Sequence, residues 1–151
     1  MTDASNTGER TATLSAAAQF RGLDHVAIAV RDADAAIDYW TGTMGFELSG
    51  DEVADDPGVR LVYLSHPGQD VCVQVIQPVR DDAAAAVWLR EHGEGLHHIC
   101  VRADDIAQFA EAVPGEPAPA LFRAGRRRSA CFLTGEPNGV KIEVTETHPS
   151  R

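Results

Sequence analysis

The feature that most constrains this chain is that it repeats itself. Leu23-Asp24-His25-Val26-Ala27-Ile28 returns as Leu96-His97-His98-Ile99-Cys100-Val101, with a histidine opening an apolar run each time. Both runs have the composition of strands. The segments after them match as well. Asp32 can cap a helix through about Trp40, and Asp104 or Asp105 can cap one through about Val113. After the first helix come extended segments starting at Phe46, over Val59–Leu64 and over Val71–Ile76. After the second come Ala120–Arg123, Ala130–Leu133 and Val140–Thr145. Each half reads β-α-β-β-β, and an alanine-rich helix over Asp81–His92 links them. The expected fold is α+β, built from two βαβββ modules (about 22–78 and 94–145) by internal duplication. The 151 residues hold one sizeable core. This gives a single domain over 21–146, with residues 1–20 as a disordered arm and 147–151 as a tail.

Strand alternation then sorts the side chains into faces. Val26, Ile28 and Val30 make one face of the first strand; His25, Ala27 and Ala29 make the other, leaving room beside the histidine. Val59, Leu61 and Tyr63 share a face of the third. By the same rule only one of His97 and His98 can look into a given cleft. The repeat selects His98 as the counterpart of His25, and leaves His97, which matches Asp24, a supporting or surface role.

If the two histidines are equivalent, the last strands of the two modules should be equivalent too. Gln74 stands between Val73 and Val75, and Glu143 between Ile142 and Val144, at closely similar separations from their histidines. Two imidazole nitrogens and two side-chain oxygens suit a divalent metal. About two positions of an octahedral site would remain for water or substrate. Cys100 and Arg102 fall on the His98 face, with Cys100 read as a cleft wall, and Arg126-Arg127-Arg128 reads as a solvated loop. Nothing resembles a Ser-His-Asp set or a phosphate loop.

Composition narrows the partners. A net charge of −10 argues against nucleic acid. No apolar run approaches ~18 residues, which argues against a membrane span. Residues 1–19 lack the apolar core of a signal peptide. Cys72, Cys100 and Cys131 form no CxxC and no even framework, which points to a reducing, cytoplasmic compartment.

The Leu23–Val30 run, Gly45-Phe46-Glu47, Gly58-Val59-Arg60, Gln74–Pro78, Gly139–Glu143 and, most specifically, Gly93-Glu94-Gly95-Leu96-His97-His98-Ile99 lead to a family. On these residues the chain resembles the vicinal oxygen chelate (glyoxalase/bleomycin-resistance) superfamily over about 21–146, and within it the methylmalonyl-CoA epimerases. The resemblance implies curved mixed sheets enclosing a metal cleft. It also implies His25, Gln74, His98 and Glu143 as ligands of cobalt, manganese, zinc, nickel or iron, a small carbonyl or acyl-thioester substrate, and a homodimer. In that family the metal chelates a thioester carbonyl and a carboxylate, acidifying the α-proton and stabilising the resulting enolate. A glutamate directly after the Gly-Val-Arg run removes the proton. Here Leu61 comes directly after Gly58-Val59-Arg60, and losing a positioned base costs ~10²–10⁴-fold. The expectation is therefore a metal-dependent isomerase, cyclase or lyase other than the standard epimerase. Leu61 and Cys100 would lie at the substrate, with Tyr63 as a candidate acid or base. The alternatives are an epimerase using another base such as Glu52, a non-catalytic antibiotic-binding protein, or an iron oxygenase with a two-His-one-carboxylate site.

Overall fold

A computed structural model describes residues 14–147. Its elements run α1 (Ala16–Gln19), β1 (Phe20–Ala29), α2 (Ala33–Gly42), β2 (Glu47–Ala54), β3 (Val59–Ser65), β4 (Cys72–Pro78), α3 (Ala84–His92), β5 (Gly95–Ala103), α4 (Ile106–Ala112), β6 (Phe122–Arg123), β7 (Ser129–Phe132) and β8 (Ile142–Glu146). The expected α+β architecture is present. All eight strands form one mixed sheet in the order β2-β3-β4-β1-β5-β8-β7-β6. Each half pairs its first and last strands in parallel, β1 with β4 and β5 with β8. The halves join through antiparallel β1 and β5.

The caps expected of the two repeated helices form. Asp32 accepts from the Ala35 amide and Asp105 from the Gln108 amide, each satisfying a first-turn N–H that would otherwise lack a partner. Helix α2 buries its apolar stripe against Val30, Val62, Leu64, Val73 and Val75. Helix α4 does the same against Val101, Ala103, Cys131 and Val144. The opposite face of β3 carries Val59, Leu61 and Tyr63, which pack with Ala27, Ile76 and Ala85 of α3. The period-2 pattern of β3 thus divides its side chains between a helix-covered core and the interior of the curl.

The disordered arm expected over residues 1–20 lies outside the described residues up to residue 13. Its last part departs from the expectation. Ser15 caps α1, Ala16 packs against the α4 core, and buried Gln19 donates to the Gln108 carbonyl. At the other end, Thr147 bonds the Ala103 carbonyl, and residues 148–151 of the expected tail lie outside the described residues.

The register shifts at three places along the central strand pair, and two of the shifts shape the site. From Leu23 to His25, β1 advances two residues while β5 advances one, from Val101 to Cys100. From Ala27 to Ile28 the reverse holds, with His98 and Leu96 as successive partners. Asp24 and His97 are therefore the extra residues of two symmetric β-bulges. A bulge re-aims side chains that a regular strand would send to opposite faces. The expectation that Asp24 and His97 face away from their neighbouring histidines is corrected on this ground.

Candidate metal centre

The register of the four central strands builds the site. His25 lies opposite Cys100, and Ala27 opposite His98, so a two-fold axis between β1 and β5 exchanges the pairs. Gln74 flanks Ala27 on one side and Glu143 flanks Cys100 on the other. Each histidine thus has a small residue beside it on its own strand and a polar oxygen two strands away. His25, Gln74, His98 and Glu143 are all at least nine-tenths buried.

The side chains of His25, His98 and Glu143 converge, with ligand-type atoms all within 4.8 Å of one another. The two Nε2 atoms lie 3.3 Å apart. Glu143 Oε1 is 3.6 Å from His25 Nε2, and Oε2 is 3.5 Å from His98 Nε2. Each imidazole is held from behind by the bulged residue before it: His25 Nδ1 by Asp24 Oδ2 at 2.7 Å, and His98 Nδ1 by His97 Nδ1 at 2.7 Å. Because an ionised carboxylate accepts only, His25 Nδ1 donates in this bond, and the bond directs Nε2 into the cluster. Such back-side bonds fix ring orientation and leave Nε2 for a metal.

Electrostatics agree with a cation here. Burial, with the charges of His25, His97 and Lys141, pushes the His98 pKa down to about 2, so the ring is neutral and ligand-competent at neutral pH. Its contact with Glu143 is therefore no ordinary ion pair. Burial pushes the Glu143 carboxyl above its usual range, against the pull of His25. Glu143 is thus a carboxyl stripped of water beside the neutral His98 ring, a setting in which a divalent ion would supply counter-charge. The donor set fits a divalent metal.

Gln74 enters from β4 and donates its amide N–H to Tyr63 Oη at 2.9 Å. Tyr63 sits edge-on to the His25 ring at 6.3 Å. Burial outweighs the nearby Arg126 charge and pushes its hydroxyl up to about 12, opposite to the shift a base would need. Leu61 lines the adjoining cavity. Cys100 does not: it is fully buried, its thiol against Glu143, and burial raises its pKa. The cleft-wall expectation for Cys100 is corrected, because the small residue beside each histidine lies beneath the cluster and supports it.

The arginine run is corrected too. Asp24 receives Arg126 on Oδ2, and Arg128 (2.9 Å) and Arg102 (3.1 Å) on Oδ1. Burial would raise the Asp24 pKa, but its bond to His25 and the Arg126 charge hold it well below the usual carboxylate range. Only Arg127 of the run is exposed. The Arg126 guanidinium also lies 4.3 Å above the Tyr63 ring, and its backbone N–H donates to Glu52 at 2.8 Å. The group Asp24, His25 and Cys100 is compact enough for a metal, yet the guanidinium groups already occupy the Asp24 oxygens.

Beside the cluster opens a cavity of about 510 Å³. His97 and His98 both reach it, as do Trp88, Phe122 and Phe132, three aromatic residues whose place in the site strand and helix periodicity does not reveal. The only signal in the sequence is a wide scatter of aromatic residues over three elements.

Residues 24–132 match the family model described as Glyoxalase/Bleomycin resistance protein/Dioxygenase superfamily. An ethylmalonyl-CoA/methylmalonyl-CoA epimerase of Cereibacter sphaeroides is 32% identical over 85 residues, which are 56% of this chain and 62% of that protein's length. The methylmalonyl-CoA epimerase of Mycobacterium tuberculosis superposes with a TM-score of 0.79 at 28% identity, over 88% of this chain and 91% of that one. A variant of the Streptomyces coelicolor methylmalonyl-CoA epimerase, in complex with 2-nitronate-propionyl-CoA, gives 0.71 at 30% identity, over 84% and 97%.

Proposed function

The chain belongs to the glyoxalase/bleomycin resistance protein/dioxygenase superfamily, and from that premise we propose that it is a divalent-metal-dependent isomerase, cyclase or lyase acting on a small carbonyl substrate. One observation carries the reading. The Nε2 atoms of His25 and His98 face each other beside Glu143, with each Nδ1 already engaged from behind. In this reading Gln74 completes the ligand set through its carbonyl oxygen, since its amide nitrogen is taken by Tyr63. A bound divalent ion supplies Lewis-acid polarisation of the carbonyl and stabilises an enolate-like state. The chain's own residues do the rest. Asp24 and His97 hold the ligand rings, and Tyr63, neutral at physiological pH, orients Gln74 and can donate a hydrogen bond but not abstract a proton. Leu61 keeps water from the cavity wall at the point where the resemblance expects a glutamate base. That favours chemistry other than standard epimerisation.

A second reading is a methylmalonyl-CoA epimerase with a different base, supported by the relatives at 28–32% identity. Glu52 is its candidate base, directly opposite Leu61 on β2, although its carboxylate is engaged by the Arg126 N–H. A homodimer and a cytoplasmic setting belong to the same proposal, the latter supported by three free cysteines. Among the described residues no helix is long and apolar enough to cross a membrane.

The test is metal content and cobalt(II) binding of the parent, His98→Ala and Glu143→Ala proteins, then α-proton exchange of methylmalonyl-CoA in deuterated water. The parent should bind cobalt, the variants at least ~10-fold more weakly, and exchange should fall ~10²–10⁴-fold below that of a true epimerase. Exchange at the full epimerase rate would move the assignment to the second reading. A parent that takes up no metal, with variants that behave like it, would leave a binding module.

A further inference from the structure

The cavity beside the metal cluster has two unlike walls. Leu61 and Ile76 form an aliphatic side. The other side is a continuous run of rings. Trp88 meets His97 edge-on at 5.0 Å, and Phe132 meets the His98 ring edge-on at 5.1 Å. Phe122 stacks on Phe132 at 5.5 Å with an interplanar angle of 19°. His97 meets His98 edge-on at 5.1 Å, so the ring run passes through a proposed metal ligand and continues along the cavity to either side of it. A substituent on the carbon next to a chelated carbonyl would enter between these walls, where a planar apolar group gains both burial and ring–ring contact.

The charges around the cavity bear on the other end of the substrate. Arg123 and Lys141 line it, and so do Asp56 and Glu143; an ion held by Glu143 would add positive charge at the inner end, which leaves Asp56 opposite Arg123 and Lys141 among the other charged lining residues. Lys141 is turned onto the Phe132 ring at 4.6 Å. Pro57 and Ala84, also on the wall, come after the acidic turns Asp55-Asp56 and Asp81-Asp82, which Arg80 ties together through the Asp55 carbonyl and Asp82. A polyphosphate carrier would meet this rim at an electrostatic disadvantage.

We propose that the substrate is a compact free carbonyl acid bearing a planar, aryl-type substituent that packs against the rings of the Trp88–Phe132–Phe122 wall, and not a coenzyme A thioester. The proposal rests on the metal-site reading for the chelating end of the substrate and on the ring wall for the other, and the two can fail separately.

Cobalt(II) uptake measured by calorimetry reports on the metal alone. Phenylmalonate, methylmalonate and methylmalonyl-CoA are then titrated into the cobalt-loaded and the metal-free protein, and Trp88 fluorescence is monitored. Trp40, the other tryptophan, packs in the α2 core, and Trp88→Phe supplies the blank. Phenylmalonate should bind at least about tenfold more tightly than methylmalonate, and methylmalonyl-CoA no more tightly than methylmalonate. Phe122→Leu keeps an apolar side chain but loses the ring, and should narrow the phenyl preference about threefold. Equal affinities for the two malonates, tighter binding of methylmalonyl-CoA than of phenylmalonate, or no phenylmalonate binding in either state would each overturn the proposal. A preserved phenyl preference in protein that takes up no cobalt would overturn the metal reading and leave the ring wall standing.

Discussion

Asp24 is the residue on which most of the site's order converges. Its two oxygens take one imidazole and three guanidinium groups, and at 2% exposure it is among the most buried charged residues described. A buried carboxylate is tolerated only when its charge and lone pairs are fully met, and here they are over-met. Asp24→Asn keeps the shape, loses the charge, and loosens both the His25 ring and the arginine loop. Cobalt(II) affinity should fall about 10–100-fold by calorimetry. An affinity within a factor of about two of the parent would mean that the clamp serves the loop and not the ligand. His97 plays the same part for His98 with a neutral ring, since burial and the charges of Lys141 and His92 push its pKa down to about 4.

At the scale of elements, the short turn Gly125–Arg127 between β6 and β7 joins the two halves across the cleft. Arg126 reaches Asp24 on β1, Tyr63 on β3 and Glu52 on β2. Gly125 is what permits that approach. A Cβ placed there would lie 2.6 Å from Glu52 Oε1 and 2.9 Å from Tyr63 Cζ, and would collide with Tyr63 Oη. The Tyr63 ring is 2% exposed and has nowhere to retreat. Gly125→Ala should therefore cost about 1–3 kcal/mol in urea unfolding. Tyr63→Phe in the same chain removes the colliding hydroxyl and should recover part of that loss, a non-additivity that a double-mutant cycle measures. Additive effects would show that the turn adjusts without touching Tyr63.

For the whole molecule, the proposed ligands are divided evenly between modules: His25 and Gln74 from the first, His98 and Glu143 from the second. A bound ion would cross-link the duplicated halves through the seam between β1 and β5. At a free cobalt(II) concentration 100 times Kd the folded state should gain about 2.7 kcal/mol, or roughly 5–10 °C in Tm for a chain of this size. Thermal unfolding with and without the ion checks this, and His98→Ala should abolish the gain. The sequence by itself determined the duplication, the α+β class, the faces of β3 and the pairing of each histidine with a distant oxygen-bearing residue. These come from strand and helix periodicity and from its repetition along the chain, both of which a chain carries in its own order. Tertiary structure decided the rest. The bulges that turn Asp24 and His97 back toward His25 and His98 depend on register between strands about half a chain apart, and no local pattern encodes a register shift. The same holds for Arg126 and Arg128, three consecutive arginines being a solvated loop until a buried carboxylate from the other module meets them. It holds again for the ring wall, where Trp88, Phe122 and Phe132 come from three elements that only the curl of the sheet brings to one cavity.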